Sequence, residues 1–237
     1  MSAGDCVLHV SPLHRLSGVV NELLCPLSVG ATCVMLPKFD PAEVWSQLLY
    51  NKTINVLIAT PNVYVTLIEE FEKSLADKKG KIRDLLSGKI RLMASGFGAL
   101  PQCAWQRWQE ITGHAVLQSY GRTETGTVMS GSLAGQRRLG CVGTPLPGVE
   151  VKLVGSDGCT LLHGNSEETR VLSGHPCRGV LQVRGPGLFT NYSNQPAAGS
   201  NSADGWFSTG DVVQYQNGMY KVLEVTDVNE EETACGK

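Results

Sequence analysis

The chain has 237 residues, 42% hydrophobic and 18% charged, with 20 basic against 22 acidic side chains and a net charge of -2. That length suits one large domain or two small ones, and the composition is that of a soluble globular protein. The near-neutral, scattered charge excludes the electrostatic footprint of a nucleic-acid partner, and no apolar run reaches the length of a transmembrane segment.

In chain order, Cys6–Val10 reads as an apolar strand, followed by a loop to Gly18, a helix starting at Val19 and closed by Gly30, and a second apolar strand over Ala31–Leu36. Continuous apolar runs of this kind imply burial on both faces, as in a parallel sheet with helices on both sides. Asp40-Pro41-Ala42-Glu43 is a helix start in which Asp40 caps, Pro41 takes the first position and Glu43 completes a capping box. Asn55–Ala59 is a third strand. Tyr64, Leu67, Ile68, Phe71 and Leu75 then recur at helical spacing. Asp77-Lys78-Lys79-Gly80 reads as a solvated loop.

A fourth strand, Ile90–Ala94, ends in the glycine turn Ser95–Pro101. The next helix carries Trp105, Trp108 and Ile111, read as packing groups rather than a stacking platform, and is capped by Gly113. His114–Leu117 reads as a short strand that breaks into the polar turn Gln118–Gly126. Strand ends with glycine-rich turns are where open α/β sheets place ligand groups, and neighbouring parallel strands let two such turns face one crevice. There Thr123 suits a phosphate oxygen, Glu124 a divalent cation bridging phosphates, and Tyr120 a base face. On these residues alone, an ordinary polar surface turn is an equal alternative.

After Gly126 helical periodicity gives way to short β runs. Gly148–Val154 and Val180–Arg184 alternate as half-buried strands, Cys159–Gly174 reads as a variable loop, and Trp206–Val225 holds two strands around Asn217-Gly218. The fold class expected is therefore α/β. It places a parallel sheet with flanking helices in 1–135, a small β-barrel-like subdomain in 136–225, and an acidic disordered tail in 226–237. There is no internal repeat. The eight cysteines form no C-x-x-C pair and read as reduced core thiols of an intracellular protein, Cys25, Cys33 and Cys103 among them. Asn51-Lys52-Thr53 and Asn191-Tyr192-Ser193 are read as chance glycosylation sequons, with no signal or transit peptide beside them.

Three stretches together resemble one family. Tyr120-Gly121-Arg122-Thr123-Glu124 is similar to the Y-G-x-T-E motif of AMP-forming acyl-CoA synthetases, the adenylate-forming superfamily. Gly140–Gly148 resembles its G-x-V-G-x-P-x-P-G segment, and Gly205–Asp211 its G-W-F-x-T-G-D motif. They occur in the family's order, and the resemblance runs from about Asp5 to Val225. Gly18–Leu36, Lys89–Gly96 and Gly143–Val151 are most similar to the malonyl-CoA synthetase branch.

The resemblance implies a carboxylic acid–thiol ligase. A carboxylate, malonate among the candidates, attacks the α-phosphate of ATP with Mg²⁺, and coenzyme A then displaces AMP. It implies that Thr123 contacts phosphate, Glu124 helps hold Mg²⁺, and Asp211 accepts from the ribose hydroxyls. Tyr120, with Gly121 beside it, covers the adenine, while Ser95, Gly96, Phe97 and Gly98 line the adenine and acyl pockets. Arg137 falls where the malonyl branch has an arginine suited to a distal carboxylate; a surface arginine is the alternative, and Arg138 would serve as well.

Two departures set further expectations. Arg15 stands where the family loop has a histidine, with His14 one position early, so acyl-pocket gating is expected to differ. The family's Ser/Thr/Gly-rich phosphate loop and its late activating lysine have no match here, and Lys221 is not that lysine. The expectation is a sequence truncated at both ends, with little ligase activity by itself; the alternative is a non-catalytic chain that binds AMP or a partner. A mitochondrial setting is implied by the resemblance alone.

Overall fold

The computed structural model describes residues 1–135, 137–173, 176–192 and 204–226. They fall into two compact units, Met1–Thr123 with Ser130–Gly140, and Glu124–Met129 with Cys141 onward.

The first unit runs β1 (Cys6–His9), a π-helical segment (Ser17–Leu24), the single turn α1 (Cys25–Ser28), β2 (Thr32–Met35), α2 (Pro41–Tyr50) and β3 (Val56–Ala59). It continues with α3 (Pro61–Ser74), α4 (Lys79–Lys89), β4 (Leu92–Ser95), α5 (Gln102–Thr112) and β5 (Leu117–Arg122). All five strands pair in parallel, in the order β2-β1-β3-β4-β5. Strand side chains alternate, so Leu8, Leu57 and Met93 share one face, and α2 to α5 bury Trp45, Tyr64, Phe71, Leu86 and Trp108 against it. Val7, Val56, Leu92, Ala94 and Leu117 make a smaller cluster on the other face. On that side of β1, His9 Nε2 meets the Gly18 carbonyl of the π-helical segment at 3.1 Å. Helices thus flank the parallel sheet, as expected.

Local sequence accounts for much of this. Asp40 Oδ1 accepts the N–H groups of Ala42 and Glu43 at 3.0 and 3.3 Å, with Pro41 in the first turn. The Glu43 carboxylate does not close the capping box; it accepts from Gln47 Nε2 at 2.8 Å, one turn on. Gly113 ends α5 in the left-handed region, at φ 78°. The amino ends of three strands are joined by one carboxylate. Asp5 Oδ1 accepts from Arg91 Nε at 2.8 Å and Asn55 Nδ2 at 3.2 Å, and Oδ2 from Arg91 Nη2 at 2.7 Å.

Asp5 is buried, and Arg91 holds its carboxyl below the usual Asp range. A lowered folded-state pKa contributes stability that is present above the unfolded value and lost as pH falls through the folded one. Asp5→Asn is therefore expected to cost about 2 kcal/mol at neutral pH, the Arg91 side being partly in water. Urea melts should show the difference shrinking as pH drops below the ordinary Asp range; a difference independent of pH would contradict the pairing.

Several expectations change. β2 is an edge strand with Thr32 and Met35 exposed, since it pairs with β1 alone in the order; its apolar run does not mean burial on both sides. The Asp77–Gly80 region is a 3₁₀ turn, Ala76–Lys78, running into α4. That helix buries Ile82 and Leu86, one turn apart, so Lys79 and Gly80 are helical rather than looped. Cys25 and Cys103 are exposed and Cys33 half-buried; Cys6 and Cys177 are the buried thiols among the described residues. Trp108 is buried, whereas Trp105 lies half-buried with its indole N–H on the Val116 carbonyl at 3.1 Å.

The second unit is an antiparallel sheet in the order β10-β9-β8-β11-β12-β13-β7-β6. Its strands are β6 (Gly126–Ser130), β7 (Cys141–Pro145), β8 (Glu150–Val154), β9 (Thr160–Gly164), β10 (Thr169–Val171), β11 (Cys177–Arg184), β12 (Phe207–Gln216) and β13 (Met219–Glu224). The sheet curls enough for Thr169 Oγ1 on β10 to reach the Tyr220 hydroxyl on β13 at 3.0 Å. Val151, Leu153, Leu181 and Val183 alternate inward on β8 and β11. Asn217 and Gly218 both take positive φ, 52° and 77°, which is the turn that closes the β12–β13 hairpin.

The segment expected as a variable loop holds β9 and β10 instead. Asn165 Oδ1 accepts the N–H groups of Glu167 and Glu168 at 2.8 and 2.9 Å and folds the two strands into a hairpin. Ser193 of the second sequon, Gly174 and the tail after Thr226 lie outside the described residues.

Candidate functional site

In the first unit the candidate residues gather where β4 and β5 run side by side. The strand expected at His114–Leu117 is displaced. β5 spans Leu117–Arg122, so Tyr120 and Gly121 are strand residues, and Thr123 begins the turn. Ser95 pairs in register with Gln118, and the Ser119 hydroxyl donates to the Ser95 carbonyl at 3.3 Å. Gly96 leaves room for this contact: a Cβ there would meet Ser119 Oγ and turn that hydroxyl away from the Ser95 carbonyl. Phe97 follows in the left-handed region at φ 56°, and Gly98, at φ 154°, lies against the Pro61 ring that opens α3. A phenylalanine with that φ is strained by about 1–2 kcal/mol, the sort of conformation that turns at ligand edges retain.

Two polar groups here lack a partner among the described residues. Ser95 Oγ and Gln118 Nε2 are both buried without a hydrogen bond, on neighbouring strands at paired positions. Parallel register puts both on one face, so they form a pair of donors suited to an acceptor from outside the protein. Gln118 opens the motif stretch but carries no sequence cue to this role. Tyr120 is buried, Thr123 exposed and Glu124 half-buried. Arg137 is placed differently. Its Nη1 donates to the Ala115 carbonyl, ahead of β5, whereas Thr123 follows the strand's other end. Burial lowers the Arg137 pKa, which marks a partly desolvated guanidinium.

In the second unit Glu124 is held from both ends. Its carbonyl accepts the Phe189 N–H at 2.8 Å, and its Oε1 accepts the Tyr192 hydroxyl at 3.1 Å. Phe189 and Tyr192 meet edge to face, 4.7 Å between centroids. Neither residue is a sequence candidate, because 68 positions separate Tyr192 from the carboxylate it orients.

Asp211 sits in a bulge of β12. Against β11, Val180 pairs with Val212 and Gln182 with Ser208, so Thr209, Gly210 and Asp211 stand opposite Leu181 alone. Thr209 Oγ1 donates to the Leu181 carbonyl at 2.9 Å and accepts the Asp211 N–H at 3.1 Å. Gly210 takes φ 76°, and the fully buried Asp211 carboxylate accepts the Thr226 N–H at 2.8 Å. The bulge adds an even number of residues and leaves the alternation intact, so Thr209, Asp211 and Val213 are buried in turn on one face.

No group of three His, Cys, Asp or Glu side chains able to hold a metal occurs among the described residues. The Glu124 carboxylate is a hard oxygen donor of the kind that Mg²⁺ takes singly beside phosphate and water, rather than part of an all-protein cage.

Comparison with known proteins decides the family. Residues 1–193 match the AMP-binding enzyme family. The chain belongs to that family. It carries the AMP-binding fold of the adenylate-forming superfamily. The chain is 43% identical over 240 residues to malonate–CoA ligase ACSF3, mitochondrial, of Homo sapiens, which covers 95% of the chain and 42% of the relative. It matches a malonyl-CoA ligase ternary product complex with methylmalonyl-CoA and AMP bound, at TM-score 0.78 and 31% identity, over 96% of this chain and 45% of that one. It also matches ATP-bound MatB from Rhodopseudomonas palustris, at TM-score 0.76 and 28% identity, over 94% and 41%. The chain thus spans about two fifths of the length of these relatives. No helix among its described residues is long and apolar enough to cross a membrane.

Proposed function

We propose that the chain carries the AMP- and Mg²⁺-binding part of an acid–thiol ligase that activates a small dicarboxylic acid such as malonate with ATP and passes the acyl group to coenzyme A. The observation that carries this reading is Asp211: a fully buried carboxylate set in a bulge, in a chain of the AMP-binding family. Asp211 accepts from the two ribose hydroxyls, as a fixed carboxylate suits. Thr123 donates to phosphate, and Glu124, oriented by Tyr192, supplies one Mg²⁺ ligand. Tyr120 and Gly121 bound the adenine, and Ser95, Gly96, Phe97 and Gly98 shape the floor for adenine and acyl group. The chemistry is positioning and charge compensation. The acid's oxygen attacks the α-phosphorus, pyrophosphate leaves, and the thiol later displaces AMP. By likeness to the human mitochondrial relative, the proposal extends to a mitochondrial setting.

Arg137 is the group we assign to the distal carboxylate. Its partial desolvation favours an anionic partner, and pairing requires it to give up or share its bond to the Ala115 carbonyl. Arg137→Ala is expected to weaken binding of malonyl-sulfamoyl-adenosine about tenfold or more, and acetyl-sulfamoyl-adenosine little, by calorimetric titration. Equal losses on both would remove Arg137 from this role.

These 237 residues hold no counterpart of the family's phosphate loop or its late lysine. One missing transition-state donor typically costs about 10²–10³ in rate, and several are involved. The purified 237-residue chain is therefore expected to form little or no malonyl-CoA from malonate, ATP, Mg²⁺ and coenzyme A while still binding AMP. Readily measured malonyl-CoA formation would overturn this. AMP binding without ligation would equally suit a non-catalytic AMP-binding role.

A further inference from the structure

Glu22 lies in the π-helical segment and is fully buried. Its Oε2 accepts two backbone N–H groups, Val10 and Ser11, both at 3.0 Å. These are the residues at which the chain leaves β1. Among the described residues Oε1 completes no well-aligned hydrogen bond, and the buried Ser11 hydroxyl lies beside the carboxylate. Burial raises the Glu22 pKa. A buried, half-satisfied carboxylate is costly, and an apolar side chain of similar size would pack here more cheaply unless the two N–H groups had to be held in place.

What they hold is a tight exposed turn. Pro12, Leu13, His14 and Arg15 all face solvent, and the Arg15 N–H returns to the Pro12 carbonyl at 3.1 Å. The Arg15 carbonyl in turn accepts the Val19 N–H at 3.0 Å, so the turn is tied to the helical segment that carries Glu22. Gly18 closes the arrangement from the other side, because a Cβ there would collide with the Pro12 carbonyl oxygen. β1, β3 and β4 are parallel, so this turn shares its sheet edge with Thr60 and with Ser95–Gly98. That carboxyl edge is where ligands meet open parallel sheets, and Arg15 brings it a permanent positive charge.

We propose that Glu22 is a positioning residue: its carboxylate fixes the turn after β1 so that Arg15 faces an anionic group of the substrate at the carboxyl edge of the parallel sheet. The anionic group is either the acid's free carboxylate or the nucleotide phosphate. That substrates of this kind arrive there rests on the adenylation reading; the fixing of the turn by Glu22 does not.

The test uses the full chain with Glu22→Ala, Glu22→Gln and Gly18→Ala. Glu22→Ala is expected to speed hydrogen exchange at the Val10 and Ser11 amides about tenfold, with the β3 and β4 amides unchanged. Glu22→Gln keeps an acceptor oxygen and is expected to restore protection. Gly18→Ala displaces Pro12 without touching the carboxylate, and serves if Glu22→Ala does not fold. AMP and malonyl-sulfamoyl-adenosine are the probes. If Arg15 faces the carboxylate, Glu22→Ala and Gly18→Ala weaken the malonyl compound alone; if it faces phosphate, both probes weaken together, and Glu22→Gln restores either loss. Unchanged exchange at Val10 and Ser11 would overturn the proposal, and so would faster exchange with undiminished affinity for both probes. If the unsubstituted chain binds neither probe, the adenylation reading and the substrate half of the proposal fail together, and exchange alone decides whether Glu22 sets the turn.

Discussion

Asp211→Ala is expected to lower AMP affinity by about 10²-fold. Two ribose hydroxyls donating to one ionised carboxylate make charge-assisted hydrogen bonds of about 1.5–3 kcal/mol each, and a tenfold change in affinity corresponds to about 1.4 kcal/mol. The same side chain also accepts the Thr226 N–H, so alanine leaves that donor unpaired and is expected to cost about 1–3 kcal/mol in stability. Asp211→Asn separates the two effects. Its remaining carbonyl oxygen keeps Thr226 in place, while one ribose hydroxyl loses its acceptor. Urea melts and AMP titration on both variants make the comparison. Loss of stability without loss of affinity would make Asp211 a bulge-forming residue and nothing more.

Trp108→Ala is expected to destabilise the first unit by about 3–5 kcal/mol, the range for emptying a buried aromatic site. The indole is fully buried, 5.4 Å from Trp45 and 4.9 Å from Tyr64 between centroids, and its N–H points at Met93 Sδ at 3.0 Å. It therefore joins α2, α3 and α5 to the centre of β4. The loss should reach the carboxyl end of β4, because the Tyr64 hydroxyl beside it donates to the Ala94 carbonyl at 2.9 Å, one residue before Ser95. Trp108→Phe keeps most of the packing and is expected to cost roughly half as much. Urea unfolding followed by circular dichroism measures both; a loss under about 1 kcal/mol for alanine would mean that the core does not centre on this ring.

How far the sequence reaches depends on how local each cause is. The Asp40 cap, the Gly113 stop and the Asn217-Gly218 hairpin are set within four residues, and they are legible. α4 is not, because Ile82 and Leu86 are its two buried residues among lysines and small polar groups, too few for a period to stand out. β9 and β10 hide for another reason. Leu161 and Leu162 are adjacent, which blurs alternation, and the hairpin depends on the side chain of Asn165 rather than on a glycine turn.

The site divides in the same way. Thr123, Glu124 and Asp211 lie within continuous motifs, so pattern alone makes them candidates. The bulge that contains Asp211 arises from pairing with β11, about thirty residues away, and the hydroxyl that orients Glu124 comes from Tyr192. Ser95 and Gln118 become a donor pair only through the register of β4 and β5. Long-range pairing leaves no local trace, so these supports are visible only once the strands are aligned.

Calorimetric titration of the unsubstituted 237-residue chain with AMP tests the central claim most directly. The account predicts saturable one-to-one binding and a matching rise in melting temperature. A folded chain that gives neither binding heat nor a shift in melting with AMP would contradict it.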